Sequence, residues 1–183
     1  MNFNLEKLLL DVFAPSPNET VGVFVDLPHG KWTDDDDWRE RRRMAEDWRV
    51  AFAKLGLKTF PMTTYLCTGA GNADLPEFGD QDGKQVRIAD LLAETSIAIA
   101  MTRFSATAPL FAYTKKLPNL RAASMPNVLR RMEKSALAAD YKVVARKAAI
   151  LEALLNQSES ADIYFPGGQK FTFDLRHRVA KAD

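Results

Sequence analysis

The stretch Thr20–Leu27, TVGVFVDL, constrains the fold of this chain more than any other segment. It is an almost continuous run of apolar and β-branched residues, without the alternation of a strand that has one solvated face. Such a run is typical of a strand buried on both faces. Strands of this kind belong to parallel sheets that carry helices on both sides, so the run predicts an α/β fold.

Helical and strand patterns alternate along most of the chain. Apolar residues recur at helical spacing in Leu5–Phe13 and again from Trp38 to Leu55, where Gly56 follows as a helix C-cap. The alternation predicts a single α/β domain, residues 1–183, with a mainly parallel, Rossmann-like sheet flanked by helices. The further predicted elements are strands at 57–68, 96–104 and 120–126, helices at 86–94 and 109–116, and a polar connection at 69–85. A helical stretch from 128 to about 156 is predicted to form two helices, the second at 141–155 with Asp140 as its N-cap.

The end of the sequence predicts a β-hairpin. Residues 161–165 and 171–175 alternate apolar and polar side chains on either side of Gly167 and Gly168. Period-two alternation around a glycine turn is typical of two antiparallel strands. We therefore expect a carboxyl-terminal hairpin after the parallel sheet.

Side chains that bind transition metals are scarce in this chain. Its 183 residues include two histidines, His29 and His177, and one cysteine, Cys67. A zinc site with nitrogen and sulfur ligands is therefore not expected, and no two acids are flanked as a catalytic pair would be. Cys67 lies in an apolar run, which favours a buried thiol over a reactive one. We predict no catalytic residue, no metal site and no cofactor.

Charge and hydropathy narrow the class of partner. The net charge is only +1, with the basic excess toward the carboxyl end, which gives no reason to expect nucleic acid. No apolar run reaches the roughly 20 residues that a membrane-spanning helix needs. The amino-terminal stretch carries acids among its apolar residues, unlike a signal peptide. We therefore predict a cytoplasmic protein that binds neither nucleic acid nor membrane.

The segment HGKWTDDDDW, residues 29–38, combines a histidine with four aspartates. Consecutive residues of a helix do not face one point, and Thr33 followed by Asp36 fits a capping box, so we interpret the acids as a helix start. His29 is different, because it follows Asp26 at the carboxyl end of a predicted parallel strand. Open sheets bind ligands at that edge, and His29 is therefore a candidate binding residue.

Two further segments resemble phosphate or nucleophile sites. In TGAGNAD, residues 68–74, Asp74 replaces the third glycine and no helix follows, so we reject a dinucleotide site. In TRFSATAP, residues 102–109, Arg103 could bind a carboxylate. Ser105 and Thr107 are interpreted as helix caps, since the sequence around Ser105 is no nucleophile elbow.

Residues 97–178 resemble the amino-terminal half of the thermophilic metallo-aminopeptidases, the aminopeptidase T and leucyl aminopeptidase type. The resemblance rests on the order of short motifs: Thr102 and Ser105 after a strand, Ser124 to Pro126, Asp140 with Tyr141, Pro166 to Gly168, and Thr172 to Leu175. It implies a two-domain hydrolase in which paired metal ions activate water, with all metal ligands in the carboxyl-terminal half. No catalytic residue of that family can be assigned to this chain. Ring-opening dihydroxypyridine dioxygenases resemble the same half, so the reaction of any parent enzyme stays open.

Two functions follow from this resemblance. The first is a non-catalytic peptide-binding or accessory protein, a stand-alone domain without the metal-binding half. The second is the amino-terminal fragment of a two-metal aminopeptidase. We favour the first, because the 183-residue sequence begins with Met.

For peptide binding we expect the final hairpin to add a peptide as an extra strand, through the backbone groups of its edge. Phe173 lies on that hairpin, and Arg176, His177 and Arg178 follow it. Arg103 and His29 complete the set of candidate binding residues. Charges beside an edge strand also serve to prevent edge-to-edge pairing, which is the simpler interpretation of these residues. A second copy of the chain could cover the same edge and give a homodimer.

Overall fold

A computed structural model describes residues 3–182. The chain divides into two compact units, of which the first ends at Ala138 and the second begins at Ala139. The first unit is a mainly parallel sheet flanked by helices, and the second contains a helix and an antiparallel hairpin. The predicted fold class, α/β with a mainly parallel sheet and a carboxyl-terminal hairpin, is confirmed.

The elements of the first unit follow the predicted alternation closely. Its helices are α1 (Leu5–Phe13), α2 (Asp36–Lys54), α3 (Ile88–Ala93) and α4 (Thr107–Lys116). Its strands are β1 (Thr20–Leu27), β2 (Lys58–Thr59), β3 (Thr63–Leu66), β4 (Phe78–Gln81), β5 (Lys84–Arg87), β6 (Ile97–Ala100) and β7 (Arg121–Ser124).

The strand β1 lies inside the sheet, as its apolar sequence predicts. The strand order is β5-β4-β3-β1-β6-β7, and the short β2 also pairs with β1. β1 pairs in parallel with β2, β3 and β6, and β6 pairs in parallel with β7. Six of the eight residues of β1 are buried. The carboxyl ends of β1, β3, β6 and β7 therefore lie along one edge of the sheet.

Alternate side chains of β1 pack on different helices. Phe24 belongs to a core cluster with residues of α3 and α4, including the fully buried Leu92. Val23 and Val25 project to the opposite face, since side chains alternate along a strand, and α2 packs against β1. α2 contributes the buried Trp48 and Phe52 to this second layer.

The acidic run before α2 is a helix start, as interpreted from the sequence. The N-cap, however, is Asp35, whose carboxylate accepts a hydrogen bond from the backbone N–H of Trp38 at 2.9 Å. Thr33 lies two residues before this position. Asp36 and Asp37 occupy the first turn, where the helix dipole favours negative charge.

Residues 69–85, predicted to be a polar connection, contain most of a second hairpin, formed by β4 and β5. β4 and β5 pair antiparallel, and β4 pairs antiparallel with β3, which makes this end of the sheet mixed. The signal for it is the dipeptide Asp82-Gly83, whose φ angles of 53° and 81° fit the two-residue turns that favour Asp-Gly. The flanking strands lack the alternating apolar residues that would have marked them as strands.

The second unit, as described over residues 139–182, lacks a buried core. It consists of α5 (Tyr141–Asn156), with Asp140 as its predicted N-cap, and of the antiparallel strands β8 (Ser160–Tyr164) and β9 (Lys170–Asp174). Among residues 139–182 none is buried. A two-stranded hairpin is marginally stable by itself.

Along residues 3–182, none of the helices combines the length and the apolar character that crossing a bilayer requires.

The close packing of Gly79 against β3 gives a test of this sheet order. A Cβ atom at Gly79 would lie 2.8 Å from Thr63 Cγ2 and 3.0 Å from the backbone oxygen of Thr64. We expect Gly79→Ala to lower the free energy of unfolding by about 1–3 kcal/mol, because the β3–β4 pair must separate to admit the methyl group. Urea denaturation measures this change.

Gly71→Ala is the matched control for that variant. A Cβ at Gly71 meets nothing closer than 3.8 Å, so its unfolding free energy should stay within about 0.5 kcal/mol of the parent chain. Equal stability of both variants would contradict the pairing of β4 with β3.

Candidate functional site

The carboxylate of Asp26 organises the carboxyl edge of the parallel strands. Asp26 is the second-to-last residue of β1 and is 1% exposed. Its Oδ1 accepts hydrogen bonds from the indole Nε1 of Trp38 at 3.0 Å and from the backbone N–H of Arg103 at 2.9 Å, and its Oδ2 accepts one from the N–H of Phe104 at 3.3 Å. A buried charge is tolerated only with such partners. Asp26 therefore fixes both α2 and the segment after β6 to the end of β1.

A second carboxylate extends this network toward solvent. Asp35 caps α2 and also forms an ion pair with Arg103, whose Nη1 lies 3.0 Å from Asp35 Oδ2. The pKa of Asp35 is held below its usual range, first by the hydrogen bond from the N–H of Trp38 and also by the charge of Arg103. Asp35 thus stays ionised beside Arg103 at neutral pH.

Aromatic rings surround the guanidinium of Arg103. It lies 4.9 Å from the ring centroid of Trp38 and 5.4 Å from that of Trp32. Trp32 contacts both Trp38 and Phe104 edge to face, with centroids 6.4 and 5.3 Å apart. A cation over an aromatic face is attracted by the ring quadrupole, so Arg103 is held by charge and by stacking together.

A second arginine, Arg41, lies beneath this layer and is fully buried. Its guanidinium is 5.7 Å from the centroid of Trp38. Burial lowers the pKa of Arg41, an effect that the nearby charge of Asp26 opposes and that of Arg103 reinforces. Within residues 3–182, none of its three side-chain nitrogens has a hydrogen-bond partner. Sequence reasoning missed Arg41, although its position three residues after Trp38 and four before Ala45 places it on the apolar face of α2.

The neighbouring strand and loop complete this edge. Tyr65 of β3 lies directly opposite Asp26 in the strand register, and burial raises the pKa of its hydroxyl. Asn72, from the glycine-containing loop, accepts hydrogen bonds from Ser105 Oγ and from the N–H of Ala108. The loop that resembles a phosphate site therefore caps α4, whose N-cap position is Ala106.

His29 does not join the Asp26 network. It is exposed, and its backbone oxygen accepts a hydrogen bond from the N–H of Trp32 at 3.3 Å. Within residues 3–182 no hydrogen bond or ion pair links the imidazole to Asp26 or Arg103. Of the two candidate binding residues in the first unit, only Arg103 lies in the network.

A surface pocket of about 470 Å³ lies among other residues of the first unit. Its lining includes Glu46, Arg49, Asp80 and Asp82. Arg49 is already bound to Glu46 by two hydrogen bonds of 2.6 and 2.8 Å. Arg49 is therefore already paired with Glu46. No residue of the Asp26 network lines this pocket.

The other predicted binding residues belong to the hairpin of the second unit. β8 and β9 pair so that Ala161 lies opposite Phe173 and Ile163 opposite Phe171. Because strand side chains alternate, these four residues share one face of the hairpin, and the polar residues Asp162 and Thr172 lie on the other. The side chains of Ile163, Phe171 and Phe173 are 44%, 54% and 41% exposed. The hairpin therefore presents an uncovered apolar face.

The basic residues after β9 are not equivalent. Arg176 is bound to Asp174 through two side-chain hydrogen bonds of 3.0 and 2.8 Å, and this pairing holds the pKa of Asp174 below its usual range. Arg178 makes a backbone hydrogen bond to Leu175, and its guanidinium has no hydrogen-bond partner within residues 3–182. His177 has a left-handed backbone, with φ 64°. Arg178 is therefore the more available cation.

Residues 3–182 contain no group of three or more His, Cys, Asp or Glu side chains placed to hold a metal ion. Cys67 is buried, as its apolar surroundings predict.

Comparisons with known proteins identify a similar fold and no family. No family model matches the chain, and no curated protein matches it in sequence. A solved structure of 2,5-dihydroxypyridine dioxygenase from Pseudomonas putida KT2440 is similar, with a TM-score of 0.52 and 17% sequence identity. The match covers 95% of this chain and 48% of the dioxygenase chain, so this chain spans about half the length of that protein. At this identity the similarity concerns the fold alone.

The predicted resemblance to the amino-terminal half of the metallo-aminopeptidases is wrong. The structure that this fold matches is a dioxygenase. The motifs that carried the resemblance, such as Ser124 to Pro126 and Pro166 to Gly168, occupy a strand end and a turn. Backbone geometry favours such residues at those places in many α/β proteins, so their order does not identify a family.

The hydrogen bonds of Asp26 predict a large effect of a small substitution. Asp26→Asn should lower the free energy of unfolding by about 1–3 kcal/mol, because an amide nitrogen replaces one acceptor oxygen beside buried N–H donors and the charge that faces Arg41 is lost. Urea denaturation at neutral pH measures the loss.

Asp37→Asn makes the same chemical change at an exposed position of the first turn of α2. It should cost no more than about 0.5 kcal/mol. If Asp26→Asn were as mild as this control, the Asp26 network would not hold this edge of the sheet together.

Proposed function

We propose that this chain is a peptide- or protein-binding protein, and that its second unit binds a partner polypeptide by strand addition at the β8–β9 hairpin. The observation that carries the proposal is the absence of any buried residue in 139–182, although the helix and the hairpin both carry apolar side chains. Contiguous exposed apolar surface marks interaction sites in many proteins.

The amphipathic pattern of α5 supports a protein partner. Val144, Ile150, Leu151 and Leu154 of this helix are all exposed. Residues spaced by three, four and seven positions share a helix face, so Val144 and Leu151 belong to one stripe. Helices of this kind are stabilised by packing of the apolar face, and a partner supplies that packing.

Backbone geometry supports strand addition in particular. Within residues 3–182, β8 and β9 pair only with each other, so each strand has an outer edge whose N–H and C=O groups lack a strand partner. An extended peptide satisfies such groups and places alternate side chains against the face of Ile163 and Phe173. Affinity then comes from the backbone and selectivity from the apolar face.

The charge near the hairpin favours an acidic peptide. Arg178 lies four residues after the end of β9 and is exposed. Because Arg176 is neutralised by Asp174, Arg178 is the residue that we expect to contact an acidic side chain of the peptide. His177 lies between them and is exposed.

A second copy of the chain would satisfy the same groups, since antiparallel edges pair across a two-fold axis. We favour a distinct polypeptide because the basic residues beside β9 complement acids better than they complement their own copies. Light scattering at increasing protein concentration distinguishes the two, and a stable dimer would overturn the choice of partner.

The binding experiment uses a labelled eight-residue peptide of alternating valine and glutamate and fluorescence anisotropy. The parent chain should bind it, and Phe173→Ser should weaken binding at least about tenfold, which corresponds to about 1.4 kcal/mol. A peptide of the same sequence with every amide N-methylated should not bind, because neither of its edges can donate to a strand.

Tyr164→Ser is the matched control, since it removes an aromatic ring from the opposite face of the same hairpin. It should leave the affinity within about twofold. Arg178→Ala should weaken binding more than Arg176→Ala. Equal binding by the N-methylated peptide, or equal losses in Phe173→Ser and Tyr164→Ser, would refute strand addition at this hairpin.

A further inference from the structure

The buried guanidinium of Arg41 lacks hydrogen-bond acceptors among residues 3–182. Its Nε, Nη1 and Nη2 atoms carry five N–H donors, and within residues 3–182 none of the three atoms has a hydrogen-bond partner. Removing a cation from water without acceptors costs several kcal/mol. The contact with the Trp38 ring offsets only part of this cost.

Two of the three acids around Arg41 are engaged elsewhere. The two oxygens of Asp26 accept hydrogen bonds from Trp38, Arg103 and Phe104, and those of Asp35 accept from Trp38 and Arg103. Asp26, the exposed Asp37 and Asp35 attract Arg41 through space without a hydrogen bond to it. The site therefore offers donors in excess of acceptors.

We propose that Arg41 and Arg103 form a binding site for a small monocarboxylate at the carboxyl edge of the parallel strands. Both guanidinium groups lie within 6 Å of the same Trp38 ring. A carboxylate supplies two acceptor oxygens in the planar geometry that matches a guanidinium. The site belongs to the first unit and is independent of peptide binding at the hairpin.

The surroundings select the class of anion. Trp32, Trp38 and Phe104 form a continuous aromatic cluster beside Arg103, which suits an apolar or aromatic body on the carboxylate. Asp26 and the aspartates at 34–37 lie on the adjoining segments and disfavour a doubly charged phosphate. The ligand that fits is therefore a singly charged aromatic or apolar acid.

Entry to this site requires movement of Arg103. Its side chain is about a quarter exposed, and it is held to the half-exposed Asp35 by one hydrogen bond of 3.0 Å. Exposed ion pairs contribute little free energy, so exchange of Arg103 from Asp35 to the ligand carries a small cost. The incoming carboxylate then reaches Arg41 beside the Trp38 ring.

Benzoate is the probe, with its neutral isostere benzamide and with inorganic phosphate as comparisons. Calorimetry should give a benzoate Kd of about 1 mM or tighter, and much weaker binding of the other two. In NMR spectra the indole N–H signal of Trp38, which donates to Asp26, should shift with benzoate while that of Trp48 stays fixed.

The Arg41→Met variant separates binding from folding. We expect its affinity for benzoate to fall at least tenfold while the variant stays folded, because Asp26 keeps its hydrogen bonds from Trp38, Arg103 and Phe104. Arg43→Met, an exposed position of the same helix, should bind benzoate as the parent chain does. Arg103→Gln keeps Arg41 and should weaken binding at least tenfold as well.

Absence of benzoate binding by the parent chain would overturn the proposal and leave ordered water as the partner of Arg41. Equal binding of benzoate and benzamide would also overturn it, as would unchanged affinity in both Arg41→Met and Arg103→Gln. If Arg41→Met does not fold, unchanged affinity of Arg103→Gln alone overturns it.

Discussion

The carboxylate of Asp26 is the interaction on which the arrangement of the first unit depends. It joins the end of β1 to an indole twelve residues later and to two backbone amides more than seventy residues later. These bonds satisfy a charge that the sheet would otherwise bury at high cost. They also fix the position of Arg103 against the Trp38 ring, beside which Arg41 is buried.

The second unit, unlike the first, has no buried residue among 139–182. Its helix and its strands follow from strong local signals, such as the Asp140 cap and the Gly167-Gly168 turn, yet they enclose no core. Local signals define the shape of a segment, and burial of apolar surface stabilises it. The apolar faces of this unit, of which no residue in 139–182 is buried, are the physical basis of the proposed binding function.

Much of the fold could be predicted because periodicity reports burial directly. The run in β1, the helical spacing of Trp38 and Trp48, and the alternation around the last turn each depend on neighbours in sequence. The β4–β5 hairpin was missed because its strands are polar, and only Asp82-Gly83 marked it. The position of Asp26 at a strand end, Arg103 as a candidate and the place of Arg41 on the apolar stripe of α2 could be read from the sequence, but their meeting depends on tertiary packing that no local pattern encodes.

Family resemblance was the weakest inference for a related reason. Short motifs at strand ends and turns reflect what the backbone requires there, and unrelated reactions share the same α/β framework. The matched dioxygenase has about twice the length of this chain, and at 17% identity it informs the fold alone. Function has to be argued from the two surfaces that this chain itself presents.

Amide hydrogen exchange of the second unit tests the central claim most directly. Without a partner, the amides of β8, β9 and α5 should exchange far faster than those of β1 and β6, and the acidic alternating peptide should protect the hairpin amides. Protection of the hairpin as strong as that of β1 in the free protein, or no added protection with saturating peptide, would contradict this account.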